Sequence, residues 1–256
     1  MKIEPFELER IQSIYENSVD VNLTESGIEP MSLKELMSES ELEELINIPM
    51  GYGYTQGSPE LREKISSLYK GFDYKNVLVT SGSSEAIFLT ALLMLSEGDE
   101  LIMMSPNYLS INGIAKSIGA EVSFITLEED LGWSLDLDKL RNLVSKRTKL
   151  ISLCNPNNPT GSIMKTSDME EVVRIADSVG AYIHSDEIYI GSELSNSVTT
   201  SFQNLYKKTI VTSGLSKTFA NPGIRIGWLA TQEDLVEECW GIKDYTTVAS
   251  SILSQH

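Results

Sequence analysis

The chain has 256 residues, 41% of them hydrophobic, with 37 acidic against 20 basic side chains and a formal charge of −17. That length suits one large α/β domain with a full core, and the negative charge argues against nucleic acid or anionic membrane as a partner, since both need a basic face. No apolar run reaches the roughly 20 residues of a membrane span, the start Met1–Pro5 has no signal-peptide core, and Cys154 and Cys239 are too few for a disulfide framework, so the expectation is a soluble cytoplasmic protein.

Residues 1–20 carry Phe6, Leu8, Ile11, Ile14 and Tyr15 at helical spacing, which predicts an amphipathic N-terminal arm. Val21–Gly27 reads as a short extended piece entering a polar turn, and one helix is predicted over Leu33–Ile46. The run Gly51–Gly57 is too rich in glycine for regular structure, and Ser58-Pro59 opens a helix with serine as cap and proline at its first position. From residue 77 an alternation begins. Strands are predicted over Val77–Thr80, Glu100–Met104, Glu121–Leu127, Leu150–Cys154, Ala181–Ser185 and Thr209–Thr212. Helices are predicted over Ser84–Leu95, Tyr108–Ile118, Asp136–Val144 and Thr166–Val179. Strands separated by helices of this length imply a mostly parallel sheet covered on both faces, in which ligands bind beyond the carboxyl ends of the strands.

Five polar motifs fall at those ends. Thr80-Ser81-Gly82-Ser83-Ser84-Glu85 is a strand end, a tight turn and a helix start, whose free N–H groups suit a phosphate; the same string also describes an ordinary capped turn. Ser105-Pro106-Asn107-Tyr108 puts an aromatic ring at the mouth, able to stack on a flat heterocycle or simply to pack at a helix start. Asn155-Pro156-Asn157-Asn158-Pro159-Thr160-Gly161 forces a rigid irregular turn, with a cis bond before Pro159 as one option. Ser185-Asp186-Glu187-Ile188-Tyr189 places a carboxylate at the cleft floor, where it can keep a pyridine nitrogen protonated. Finally, Ser213-Gly214-Leu215-Ser216-Lys217 follows a strand with a lysine among small residues, and Arg225 stands eight positions later with a fork that matches phosphate. A nucleophilic amine beside a phosphate fork suggests an imine-forming, phosphate-bearing cofactor, pyridoxal phosphate. His184 lies inside the strand leading to Asp186 and reads either as packing or as a residue backing the site, and His256 is terminal, so with two scattered cysteines no metal cluster is expected.

In their order and spacing these motifs make the chain, from about Tyr52 onward, resemble the class I/II aminotransferases of pyridoxal phosphate fold type I. The resemblance implies a three-layer α/β/α fold with a mostly parallel seven-stranded sheet, divided into an N-terminal arm and access segment at 1–45 and a cofactor-binding large domain at 46–256. The small C-terminal domain of the family is expected to be absent, because the sequence ends about where the large domain finishes. By the same resemblance Lys217 forms the cofactor aldimine and shuttles the proton, and Asp186 pairs with the pyridine nitrogen. Asn158 and Tyr189 contact the ring's phenolic oxygen, Tyr108 stacks on the ring, and Ser83, Ser84, Ser216 and Arg225 hold the phosphate. Tyr52 reaches the phosphate of a neighbouring subunit, which implies a homodimer. The implied activity moves an amino group between an amino acid and a 2-oxo acid; a β-lyase, a cyclase or a cofactor-binding fragment are the alternatives. Leu23–Gly27 lies where the family contacts substrate, with no residue assigned there. Asn221 is bulkier and more polar than the family's usual residue before the glycine of the arginine motif.

Overall fold

The computed structural model describes residues 2–194 and 197–256. Seven strands form one sheet: β1 (Val77–Thr80), β2 (Glu100–Ser105), β3 (Glu121–Thr126), β4 (Thr148–Cys154), β5 (Tyr182–Asp186), β6 (Thr209–Gly214) and β7 (Gly227–Ala230), in the order β1-β7-β6-β5-β4-β2-β3. The β2–β3, β2–β4, β4–β5 and β5–β6 pairs are parallel, whereas β7 runs antiparallel to both β1 and β6. The mostly parallel seven-stranded expectation holds. β7 has only four residues, too few for a period to reveal it.

Side-chain alternation along each strand sends successive residues to opposite faces. Leu101, Met103 and Leu150 pack with α5 (Ser83–Met94) and α6 (Ser110–Ile118). Their neighbours Ile102, Met104, Ile151, Leu153 and Ile183 pack with α7 (Leu137–Leu143) and α8 (Thr166–Val179). Further along the sheet, Leu78, Ile210 and Leu229 meet α5 and α9 (Glu233–Lys243), while Val77, Val79, Val211 and Trp228 meet α4 (Pro59–Ser66). Each such aliphatic side chain, removed from water, contributes on the order of 1.5–3 kcal/mol. The result is three layers, helices over both faces of the sheet.

The arm holds α1 (Glu7–Tyr15), whose Leu8, Ile11 and Ile14 remain exposed. The single helix predicted over Leu33–Ile46 is instead two, α2 (Leu33–Leu36) and α3 (Glu39–Ile46). The break has a local cause: Ser38 takes an extended conformation and forms a capping box with Glu41, which starts a new helix. The helix predicted from Tyr108 begins at Ser110, because Leu109 is its cap residue. Ser58 does cap α4, accepting from Leu61 N at 3.3 Å. Among the described residues no helix is long and apolar enough to cross a membrane, and both cysteines are buried and free.

Candidate active site

Because β1, β2, β4, β5 and β6 point the same way, the five motifs leave the sheet at one edge. Arg225 joins them by a different route. It precedes β7, and β7 runs back against its neighbours, so the start of β7 lies at the edge where the others end: Gly227 pairs with Thr80 on one side and Gly214 on the other. The backbone there is crowded; a β-carbon on Gly227 would collide with the main chain of Gly82 and Ser83. Gly82 has φ +85°, and a β-carbon on it would stand 2.5 Å from Arg225 Nη2. The guanidinium therefore lies against Gly82, the residue that precedes α5, whose first helical turn contains Ser83 and Ser84, and its Nη1 donates to Pro222 O at 3.0 Å. A guanidinium at a helix N-terminus makes an anion cradle. Ser216, half-buried, follows β6 by two residues.

Asp186 ends β5 with 9% exposure, its Oδ1 accepting from Ile188 N at 3.2 Å. Burial raises its pKa to about 6, against the one backbone hydrogen bond that lowers it. Tyr189 donates its phenol hydrogen to Ser26 Oγ at 2.8 Å, and burial pushes its pKa up to about 12, with Asp186 and Glu25 adding negative charge nearby. Tyr108 is held by the N-terminal arm, donating to Glu9 Oε1 at 2.6 Å and meeting the Phe6 ring edge-on at 5.1 Å. Burial and then Glu9 raise its pKa.

The asparagine-proline turn has cis bonds at Asn155-Pro156 and at the predicted Asn158-Pro159. Asn158 is half-buried, whereas Asn155 and Asn157 are buried; Asn155 Oδ1 accepts from Met164 N at 2.9 Å, and Asn157 donates to Thr160 Oγ1 at 2.9 Å and to Pro106 O at 3.3 Å. Through that bond the turn braces the Tyr108 loop. His184 bridges Ser152 Oγ at 2.8 Å and Thr212 Oγ1 at 2.9 Å inside the sheet, and burial lowers its pKa to about 4, as its packing role requires. Among the described residues no group of three or more His, Cys, Asp or Glu side chains is placed to hold a metal ion.

Lys217 Nζ lies 2.6 Å from Glu25 Oε1. Glu25 and Glu9 were not singled out from the sequence, and Glu187 appeared there only as a member of its motif, with no role. Glu25 and Glu9 sit in segments with no regular pattern joining them to the sheet, and only the bare proximity of Leu23–Gly27 to a family contact region hinted at the first. Tyr52 is not brought to the others: it is 83% exposed on the loop before α4.

Residues 22–255 match the family model described as aminotransferase class I and II. The chain belongs to that family. It is 32% identical over 192 residues to a probable aspartate aminotransferase of Methanocaldococcus jannaschii, covering 73% of this chain and 50% of that protein. It is 30% identical over 220 residues to a histidinol-phosphate aminotransferase of Methanococcus maripaludis, covering 85% of this chain and 57% of that one. A pyridoxal phosphate-dependent aminotransferase structure from Streptococcus suis superposes with a TM-score of 0.93 at 35% identity, covering all of this chain and 69% of its own. The chain thus spans about half the length of the curated relatives it matches.

Proposed function

We propose that this chain binds pyridoxal phosphate and takes part in amino-group transfer between an amino acid and a 2-oxo acid, with Lys217 as the catalytic residue. The observation that carries the reading is Asp186: a nearly buried carboxylate with a raised pKa and a single backbone donor, which calls for a cationic N–H. A protonated pyridine ring meets that need, and the Arg225–Gly82 cradle fits the phosphate of the same molecule.

Pyridoxal phosphate, when bound, supplies an aldehyde that condenses with amines and a ring that withdraws electrons from the α-carbon. The chain's own residues do the rest. Asp186 holds the ring nitrogen protonated, and Tyr189 and Asn158 orient the phenolic oxygen. Tyr108 covers the ring face and excludes water. Arg225, Ser83, Ser84 and Ser216 hold the phosphate, aided by the N–H groups that open α5. Lys217 Nζ takes the proton from the substrate α-carbon and returns it.

The division into an arm and access segment at 1–45 and a cofactor-binding domain at 46–256 is part of this reading. So is a cytoplasmic homodimer in which Tyr52 reaches the partner's phosphate. The exposure of Tyr52 and of the apolar face of α1 supports a partner surface.

The test is a spectral titration of the purified chain with pyridoxal phosphate, then with a panel of amino acids. A lysine-bound cofactor band, shifted by amino acids with release of a 2-oxo acid and lost in Lys217→Ala, is the expected result. A Lys217→Ala variant with the same band and turnover would sink the assignment.

A further inference from the structure

The segment Leu23–Gly27 is fastened to the candidate site from both sides. Tyr189 donates to Ser26 Oγ at 2.8 Å, and Gln12 Nε2 donates to Thr24 O at 3.1 Å. Just past the segment, Met31 N donates to Ala220 O at 3.0 Å, tying the chain to the loop that carries Lys217. Glu25 itself is set by Gly27 N, which donates to Oε1 at 2.8 Å, and the same oxygen takes the Lys217 ammonium at 2.6 Å. The hydrogen bond from Lys217 is the chief cause that holds the Glu25 pKa below the ordinary carboxylate range, with the Gly27 and Ser26 N–H groups adding to it. Glu25 is therefore an ionised carboxylate, tethered by its own backbone and aimed at the reacting amine.

We propose that Glu25 is a specificity-determining residue that selects an amino acid with a cationic side chain and disfavours a dicarboxylic one. This rests on the assignment of Lys217 as the amine that engages the cofactor. Once it does so, Arg225 is matched by phosphate and Asp186 by the ring N–H, and Glu25 loses its cation. The Gly27 N–H keeps it in place. Glu25 is exposed, its side chain 51% accessible, so it then carries an unmatched negative charge beside the place of the reacting amine, and a substrate that brings an ammonium or guanidinium restores the ion pair. A second carboxylate on the substrate would set two like charges together. The exchange also serves the proton transfer. While Nζ is hydrogen-bonded to Glu25 it is committed to that contact, and a substrate cation that takes Glu25 frees it for the α-carbon. Several relatives are named aspartate aminotransferases; a carboxylate at Glu25 would disfavour an acidic substrate side chain in this chain.

The experiment uses the full chain loaded with pyridoxal phosphate and α-methyl amino acids, which lack the α-hydrogen and so bind without conversion. Binding of α-methylornithine, its near-isostere α-methylnorleucine and α-methylglutamate is measured by calorimetry. The wild type should bind α-methylornithine about five-fold more tightly than α-methylnorleucine, with α-methylglutamate weakest. Glu25→Gln should bring the first two together while the cofactor band persists. Equal binding in the wild type, tighter binding of α-methylglutamate, or a preference that survives Glu25→Gln would each overturn the proposal. Should Glu25→Gln not take up cofactor, the wild-type ratio decides. A wild type with no lysine-bound cofactor band refutes the underlying assignment instead, and the two failures are told apart by that band.

Discussion

The Arg225 guanidinium fills the space that a β-carbon on Gly82 would need, with Nη2 2.5 Å from that position. The glycine is thus required twice, by this approach and by its φ of +85°. Gly82→Ala should displace the guanidinium and strain the turn. We expect a loss of about ten-fold in pyridoxal phosphate affinity and of about 1–2 kcal/mol in stability. Fluorescence titration with the cofactor reads the first and urea unfolding the second; an unchanged affinity contradicts the cradle.

Asp186 has its pKa raised from 3.8 to about 6 by burial, so the folded chain holds a proton that the unfolded chain has already released. Between those values stability falls as pH rises, and above them the full cost of the buried charge is present. Glu187, raised from 4.5 to about 7, contributes with the same sign, and His184, lowered from 6.5 to about 4, with the opposite one. The difference between wild type and Asp186→Asn isolates the first group. Without cofactor the variant should match the wild type near pH 4 and exceed it by roughly 2–3 kcal/mol at pH 7. Pyridoxal phosphate should stabilise the wild type at pH 7 and stabilise the variant by less, as followed by thermal unfolding across pH.

Glu187 anchors the segment that leads into β6. Its Oε1 accepts from Ser185 Oγ at 2.8 Å, Ser201 Oγ at 2.8 Å and Phe202 N at 3.1 Å, all buried. Removing the acceptor strands three donors, so Glu187→Ala should cost about 2–4 kcal/mol, whereas Glu187→Gln keeps an oxygen there and should cost about half as much or less. Denaturant midpoints of the two variants distinguish this from a role of charge alone.

In the proposed dimer Tyr52 would serve the site of the partner chain. If it reaches a partner's phosphate, Tyr52→Ala and Lys217→Ala chains are each impaired but complement each other on mixing. A mixed dimer holds one site with both residues intact, so an equimolar mixture should recover roughly a quarter of the wild-type cofactor-dependent signal. No recovery, with mixed dimers demonstrated by mass, places Tyr52 outside the site.

The legible part of the fold was the part set by local preference. Val77–Thr80 and Thr166–Val179 appear as predicted, because a β-branched run and a helical apolar stripe each announce themselves within a few residues. The Leu33–Ile46 region shows the limit: its apolar spacing runs on across Ser38, but the serine–glutamate capping box beats that spacing and divides it. β7 shows another limit, since Gly227–Ala230 becomes a strand only by pairing with β1 and β6.

The sequence by itself determined which polar groups follow which strand, and with that the family, since turn residues and strand ends are written in neighbouring positions. Only the tertiary structure decided which of those groups meet. Arg225 reaches Gly82 because its strand runs against the others, and Glu25 reaches Lys217 across 192 residues. Both depend on pairing register and burial, which are properties of segments in contact and not of any one stretch of chain.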